Sequence, residues 1–314
     1  MTASSRAILS WQLRTRSLEL GRRTLVMGVV NVTPDSFSDG GLFLDPEAAV
    51  ARALQLLDEG ADLLDLGAES TRPGSRAGHA PDSAQAPAVS AEEEQARLLP
   101  VLEAILRERP RALLSVDTYK AATARAALAA GAEIVNDVSG FAWDAEMASV
   151  CARARCGVVL MHTRGRPDEW RAQPRLDCDA LPATVRAGLA ASLSAATQSG
   201  ISREAIVLDP GYGFGKRNEE NYALLARQGE LLSLGRPLLA GLSRKSFLGR
   251  TLAPLHGGLE APVEEREAAS LAAQVAAILH GASIVRVHAV RPAVEAASIA
   301  DAILAQSSCP PPAV

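Results

Sequence analysis

Short apolar runs recur along the whole chain, and each is followed by a stretch of helical length that is rich in Ala, Leu, Glu and Arg. The eight runs lie at residues 25–32, 63–68, 113–116, 133–136, 158–161, 206–208, 238–242 and 284–287. Continuous apolar runs, as opposed to alternating ones, are typical of strands that are buried on both faces of a parallel sheet. The pattern therefore predicts eight parallel strands covered by helices.

The stretches between the runs predict those helices. They are expected at residues 46–59, 92–109, 120–130, 144–155, 183–199, 218–228, 266–280 and 292–305. Glycines at helix ends, such as Gly60 and Gly131, favour these boundaries. Eight βα units predict an α/β fold, namely a single closed (β/α)₈ TIM barrel over residues 25–306. A doubly wound open sheet fits most of the same pattern and is the alternative.

Three segments lie outside the βα units. In the N-terminal segment, residues 1–24, two short runs at 11–15 and 17–20 predict a hairpin that closes the barrel floor. Residues 74–90 are rich in Gly, Ala, Pro and Ser, which is typical of a mobile loop. The last residues, 307–314, predict a disordered tail.

Composition and charge narrow the class of protein. Of the 314 residues, 48% are hydrophobic and 22% are charged, which is typical of a globular chain. The net charge of −4 argues against a nucleic-acid partner. Four cysteines without a C-x-x-C pair predict free thiols, and we see neither a secretory signal nor a long apolar segment. We therefore expect a cytoplasmic protein that has no membrane partner.

Every predicted strand ends in a polar or ionisable residue. These residues are Asn31, Glu69, Asp117, Asn136, His162, Asp209, Ser243 with Lys245, and Arg286 with His288. A single polar residue after a strand is usually a turn former or a helix cap. In a TIM barrel, however, all eight strand ends meet at one rim, where the chemistry of such barrels takes place. The set therefore predicts a shared site.

The strand-end residues also sort by charge. Acidic and amide side chains follow the third, fourth and sixth runs, whereas cations follow the seventh and eighth, where such barrels often hold a phosphate. This order predicts a ligand with a hydrogen-bond-donating ring and an anionic end. The segment DPGYGFGK at 209–216 is not a P-loop, because Pro210 and Arg217 break that motif. Its glycines predict either a tight loop that lets backbone approach a flat ligand or a plain turn.

The strand ends carry motifs that resemble those of the dihydropteroate synthase family. The motifs are MGVVNVTPDSFSDGG at 27–41, ESTRPG at 69–74, SVDTYK at 115–120, IVNDVSG at 134–140, MH at 161–162, LDPGYGFGK at 208–216, GLSRKSFLG at 241–249 and RVH at 286–288. The resemblance implies a homodimeric TIM-barrel transferase of folate biosynthesis that sulfonamides target. Such an enzyme condenses 6-hydroxymethyl-7,8-dihydropterin pyrophosphate with p-aminobenzoate to give 7,8-dihydropteroate and pyrophosphate.

The resemblance also implies site roles. For the pterin it implies Asp117, Asn136, Asp209, Met161 and Lys245. For the pyrophosphate it implies Asn31, Arg72, Arg286 and His288, with Asn31 as a ligand of an Mg²⁺ cofactor. For p-aminobenzoate it implies Phe37, Thr71, Pro73 and Ser243. The catalytic residues would be Arg286, His288 and Lys245, and Arg72 has pairing with Asp39 as an alternative role.

Some features lie outside the family pattern or the implied roles. Ala289 stands where the family commonly has Asp, and the loop after ESTRPG is longer than usual. Arg164 and Arg166 add positive charge, which we expect to be solvated. Asp65, in the middle of the second run, is expected to be a buried structural acid inside the barrel.

Three alternative functions remain. A methyltetrahydrofolate:corrinoid methyltransferase shares the pterin pocket but needs no pyrophosphate site, so Arg286 and His288 argue against it. A non-catalytic paralogue that binds pterin is disfavoured by the intact motifs. A Schiff-base lyase would use Lys245, but the neighbours Arg244 and Ser246 predict no apolar pocket that would deprotonate it.

Overall fold

Eight parallel strands close into a barrel in a computed structural model that describes residues 6–32, 46–71, 75, 77, 78 and 89–306. An antiparallel hairpin, β1 (Leu9–Gln12) and β2 (Ser17–Leu20), precedes the barrel. The barrel strands are β3 (Leu25–Asn31), β4 (Leu63–Gly67), β5 (Leu114–Asp117), β6 (Ile134–Asp137), β7 (Gly157–Met161), β8 (Ile206–Asp209), β9 (Leu238–Ala240) and β10 (Ala282–Val287). Neighbours in sequence pair in parallel, and β10 pairs with β3. This closure confirms the TIM barrel and excludes the open sheet.

Helices surround the barrel. The α-helices in the described part of the chain are α1 (Pro46–Asp58), α2 (Ala91–Glu108), α3 (Ala121–Ala129), α4 (Met147–Ala154), α5 (Leu181–Gln198), α6 (Asn218–Ala226), α7 (Ser246–Thr251), α8 (Glu267–Leu279) and α9 (Val290–Gln306). All eight predicted helices are present. The sequence pattern missed the short α7, whose Phe247 and Leu248 are buried, so tertiary packing rather than periodicity defines it.

The hairpin closes the N-terminal end of the barrel, as predicted. The Trp11 side chain is fully buried, and its Nε1 donates a hydrogen bond of 2.9 Å to the carbonyl oxygen of Ala205, just before β8. Leu13 packs so closely against β7 that a Cβ at Gly157 would lie 2.4 Å from it. The first strand of the hairpin begins two residues earlier than predicted, because residues 13–16 form the turn.

The interior of the barrel has an apolar lower half and a polar upper half. Trp11, Leu13 and Leu20 of the hairpin segment belong to one apolar cluster with inward residues of the strands. The inward strand residues of this cluster are Leu25, Met27, Leu63, Leu113, Ile134, Val159, Val207, Leu239 and Ile284. Because side chains alternate between the two faces of a strand, the residue two positions further on also faces inward. In β4, β6, β8 and β10, that next inward residue is polar.

Two further observations concern the cysteines and the character of the helices. Cys151, Cys156 and Cys178 are free thiols, while Cys309 lies outside the described residues, as does the rest of the predicted tail. Within the described part of the chain, none of the helices combines the length and apolar character that crossing a membrane requires.

We predict that Trp11→Ala lowers the free energy of unfolding by about 3–5 kcal/mol, because it removes a large buried side chain and leaves the Ala205 carbonyl without its donor. Urea unfolding measures the loss. Ile8→Ala, at a side chain that is 53% exposed on the same segment, is the matched control. A loss no larger than that of the control would contradict the role of Trp11 as the floor of the barrel.

Candidate active site

Arg286 is the centre of a polar network inside the upper half of the barrel. Its Nε donates to Asp65 Oδ2 at 2.6 Å, and its Nη2 donates to Asp117 Oδ2 at 2.7 Å. Asn136 Nδ2 also donates to Asp65 Oδ2, at 2.8 Å. These side chains come from β4, β5, β6 and β10, so the network joins residues that lie up to 221 positions apart in the chain.

Asp65 belongs to this network, although the sequence predicts only a structural role for it. It is a fully buried acid, as expected, but its two hydrogen bonds orient Arg286 and Asn136. Its Oδ1 accepts from none of the described residues. The signal that could have identified Asp65 is alternation, because it lies two residues after Leu63 of the apolar cluster.

Three side chains each keep one oxygen that no described residue binds. Asn136 uses its amide nitrogen on Asp65, which leaves its carbonyl oxygen as the acceptor. Asp117 uses Oδ2 on Arg286, and Asp209 uses Oδ1 to accept from the backbone nitrogen of Gly211 at 2.7 Å. The site therefore offers three hydrogen-bond acceptors to a ligand.

Burial and neighbouring charges shift the pKa values of these groups. Burial raises the pKa of Asp117, and Asp65 adds to this rise, while Arg286 opposes it. Burial also raises the pKa of Asp209, against the hydrogen bond from Gly211 and the charge of Lys245. For Arg286, burial opposes the charge, but Asp65 and Asp117 outweigh it and raise the pKa. Because these groups shift one another's pKa values, they lie close enough to interact electrostatically at one end of the barrel.

Lys245 extends the network towards β8. Its Nζ lies 4.2 Å from the centre of the Phe214 ring, a cation–π contact. Burial lowers the pKa of Lys245 to about 8, although Asp209 opposes the change. The Lys245 side chain is half-buried, and its surroundings include Phe214 and Asp209 from the segment after β8.

The segment 209–216 forms the expected tight loop. Gly211, Gly213 and Gly215 all have positive φ angles, and a Cβ on Gly211 would lie 2.0 Å from the carbonyl oxygen of His162. Lys216 holds the loop from inside, since its Nζ donates to the carbonyl oxygens of Gly211 and His162 at 2.7 and 3.2 Å. Lys216 is thus a structural residue of this loop.

Two strand-end residues make their contacts away from the network. His162 faces α5, where a Cβ on Gly188 would lie 2.6 Å from its ring, and burial lowers its pKa to about 2, so the ring stays neutral. Glu69 pairs instead with Lys120, at 2.5 Å. The expectation that all strand-end groups converge was therefore wrong for these two, since they turn towards the helical layer and the neighbouring loop.

The remaining predicted residues lie around the network or outside the described part of the chain. Ser243 Oγ and His288 Nδ1 lie 3.0 Å apart, so two residues assigned to different substrates are in contact. Met161 ends β7 and is buried, and Asn31 ends β3 and is exposed. Thr71 is half-buried. Phe37, Asp39, Arg72 and Pro73 lie outside the described residues.

Arg164 and Arg166 are not merely solvated, contrary to expectation. Arg164 donates to the carbonyl oxygens of Gly215 and Pro174, at 3.0 and 2.9 Å. Arg166 donates from Nε to the carbonyl oxygen of Gly78 at 2.5 Å. Both side chains satisfy backbone carbonyls of loops at the same end of the barrel as the network.

A separate cavity of about 400 Å³ lies against α3 and α4. Arg14, Arg125 and Arg153 line it together with small apolar side chains, and it contains none of the predicted site residues. Arg14 donates to the carbonyl oxygen of Leu128 at the end of α3, which is the usual place for a cation beside a helix C-terminus.

Comparison with known families agrees with the motifs. The Pterin binding enzyme family matches residues 27–288, so the chain is in the class of pterin-binding barrels. The dihydropteroate synthase of Synechocystis sp. is 40% identical over 283 residues, which span 90% of this chain and 91% of that protein. That of Mycobacterium leprae is 42% identical over 279 residues, or 89% and 93% of the two chains. The chain belongs to the dihydropteroate synthase family.

Solved structures and a longer relative complete the comparison. The Xanthomonas albilineans dihydropteroate synthase with 4-aminobenzoic acid has a TM-score of 0.81 and 41% identity, covering 97% of this chain and all of that one. The Yersinia pestis enzyme in complex with a sulfonamide drug has a TM-score of 0.82 and 38% identity, covering 95% of this chain and all of that one. The pea mitochondrial folate synthesis bifunctional protein is 40% identical over 93% of this chain, which spans 56% of its length.

We predict that Asp65→Asn lowers the free energy of unfolding by about 3–5 kcal/mol, because it removes the buried negative charge that pairs with the Arg286 guanidinium. Urea unfolding measures this loss. Glu295→Gln makes the same chemical change in the exposed Arg291–Glu295 pair, where we expect a change under about 1 kcal/mol. Equal effects of the two variants would show that Asp65 does not support the network.

Proposed function

We propose that this chain condenses 6-hydroxymethyl-7,8-dihydropterin pyrophosphate with p-aminobenzoate, releasing pyrophosphate, as a transferase of folate biosynthesis. The observation that carries the proposal is the set of three acceptor oxygens on Asp117, Asn136 and Asp209. A pterin presents its 2-amino group and ring N–H as donors, and these match acceptors. Membership of the dihydropteroate synthase family supports the same reaction. Structures of the X. albilineans and Burkholderia cenocepacia dihydropteroate synthases contain 7,8-dihydropteroate.

Arg286 is suited to bridge the pterin and pyrophosphate ends of the substrate. Two of its nitrogens are held by Asp65 and Asp117, and its Nη1 donates to no residue in the described ranges. A fixed guanidinium with a spare donor can stabilise the negative charge that gathers on the departing pyrophosphate. His288 follows β10 directly and brings a second donor to the same end of the barrel.

The proposed reaction is dissociative. The bond from the exocyclic carbon to the pyrophosphate oxygen breaks ahead of the attack, and the electron-rich dihydropterin spreads the positive charge. The amine of p-aminobenzoate then forms the new C–N bond and loses a proton. Asp117, Asn136 and Asp209 hold the ring during this step, while Lys245 lies beside it and Met161 packs near it. By the resemblance, Thr71 and Ser243 contact p-aminobenzoate, together with Phe37 and Pro73 outside the described residues.

Mg²⁺ is proposed as the cofactor. Asn31 is exposed at the end of β3 and offers an amide oxygen, a hard donor that suits this ion. The described residues contain no cluster of three His, Cys, Asp or Glu side chains that would hold a metal by themselves. This donor set fits an ion that is bound mainly by substrate phosphates and water, with Asn31 as a protein ligand, and that supplies positive charge to the leaving group.

A homodimer in the cytoplasm is proposed as the working form. Three apolar side chains close together in the sequence after α7, Leu255, Leu259 and Val263, are 79%, 74% and 38% exposed. Large exposed apolar patches favour a protein partner. The buried free thiols of Cys151 and Cys156 suit a reducing compartment. Sedimentation of the purified chain tests the dimer.

The decisive experiment incubates the purified chain with the pterin pyrophosphate, p-aminobenzoate and Mg²⁺. We expect dihydropteroate and stoichiometric pyrophosphate, with release that depends on both the amine and the metal. Release that occurs without p-aminobenzoate, or no product at all, would contradict the proposed function.

We predict that Asp209→Asn weakens binding of the pterin by about 10- to 100-fold. The hydrogen bond from Gly211 fixes the oxygen of the new amide, so its NH₂ group faces the ligand and meets donors with a donor. Calorimetry with 6-hydroxymethylpterin measures the change. Glu295→Gln, far from the network, should bind like the unmodified chain, and unchanged affinity of Asp209→Asn would refute the placement of the pterin.

We also predict that affinity for the pterin pyrophosphate falls as the pH rises through about 8. Below that pH, Lys245 is protonated and its positive charge favours the anionic substrate; above it, the charge is lost. Lys245→Met should bind more weakly at neutral pH and lack this step. Affinities measured by calorimetry across this range test the assignment, and a step that persists in Lys245→Met would assign the titration to another group.

A further inference from the structure

The loop that follows β4 is anchored at a second point, on the loops after β5, β6 and β7. Its described residues beyond Thr71 include Ala77 and Gly78, and Ala77 is fully buried. Such burial is unusual for a surface loop rich in Gly, Ala, Pro and Ser. The residues that hold this part of the loop come from segments far away in sequence.

Trp143 is the platform beneath Gly78. A Cβ on Gly78 would lie 2.7 Å from the indole ring, so the backbone of Gly78 rests directly on it. The φ angle of Gly78 is +82°, which disfavours any other residue. The Tyr119 ring packs edge-on against the indole, with 5.2 Å between the ring centres, and Tyr119 is only 6% exposed. The indole is therefore in contact with both Gly78 and Tyr119.

Arg166 holds the same glycine from the side. Its Nε donates to the Gly78 carbonyl oxygen at 2.5 Å, a hydrogen bond strengthened by the charge of the donor. The turn that carries Arg166 is also fixed, because its backbone nitrogen donates to Glu169 at 2.8 Å and Trp170 Nε1 donates to the Gly165 carbonyl oxygen at 3.1 Å. Both partners of the contact are thus held in place.

The anchor spans a large part of the rim. The strands β4, β5, β6 and β7 are successive neighbours, so a link from the loop after β4 to the loop after β7 crosses three strand spacings, about 14 Å. Near its start, the same loop is held by the ion pair between Glu69 and Lys120. Thr71 lies between these two points of attachment.

We propose that Arg166 is a positioning residue for the second substrate. By holding Gly78 on Trp143, it restrains the loop after β4 at a point seven residues beyond Thr71, which by the resemblance contacts p-aminobenzoate. Arg166 touches no atom that reacts, and it acts only through this loop. The identity of the substrate in this inference rests on the proposed function. The contact of Gly78 with Arg166 and Trp143 does not depend on that function.

The test compares four single variants of the full chain with the unmodified protein. Arg166→Ala removes the donor, Arg166→Lys keeps a cationic donor, and Gly78→Ala disturbs the other side of the contact. Arg171→Ala is the matched control, since Arg171 is exposed on the same loop and forms no ion pair with the described residues. The readouts are KM for each substrate, kcat, and amide hydrogen exchange of the peptide that contains residues 77 and 78.

We expect Arg166→Ala and Gly78→Ala to raise KM for p-aminobenzoate about tenfold, which corresponds to the free energy of one charge-assisted hydrogen bond. Both variants should also speed amide hydrogen exchange at residues 77 and 78. KM for the pterin pyrophosphate should change by less than about twofold. Arg166→Lys should recover most of the affinity, and Arg171→Ala should behave like the unmodified chain.

Two results would overturn the proposal. One is an equal rise of KM for both substrates, which would indicate a general loss of structure. The other is an unchanged KM for p-aminobenzoate in Arg166→Ala. If the unmodified chain made no dihydropteroate, the proposed function and the substrate role of Arg166 would fall together, while hydrogen exchange would still decide whether Arg166 holds residues 77 and 78.

Discussion

The site depends on one buried interaction, the guanidinium of Arg286 held between the carboxylates of Asp65 and Asp117. A charge inside a barrel is costly unless it is paired and hydrogen-bonded, so these three groups constrain one another. They join β10 to β4 and β5, and Asp65 extends the link to Asn136 on β6. The same contacts that satisfy the charges also determine which atoms are left for a ligand.

The division of the barrel interior explains why such a network can form at all. The hairpin and the inward apolar residues fill the lower half, which excludes water and gives the strands a packed core. The upper half is then free to be polar without loss of the fold. Stability and chemistry occupy opposite ends of the same strands, as is general for TIM barrels.

The loops add a second layer of organisation. The glycine loop after β8 is held from within by Lys216, and Arg164 and Arg166 bind backbone carbonyls of neighbouring loops. Basic side chains that the sequence presents as surplus charge thus act as donors that fix loop backbone. These contacts could not be predicted, because a carbonyl acceptor leaves no signature in the sequence and its position depends on the path of distant segments.

The sequence by itself determined the eight strands and eight of the nine described α-helices, because apolar runs and helical spacing reflect local burial. Its motifs also identified the family and most of the polar residues at the strand ends that lie in or around the site. Only the tertiary structure decided that Asp65 orients Arg286 and Asn136, that His162 and Glu69 turn away, and that Lys245 lies over the Phe214 ring. The reason is that the direction of a side chain and the charges around it depend on which strands close the barrel beside it, and not on its own neighbours in the chain.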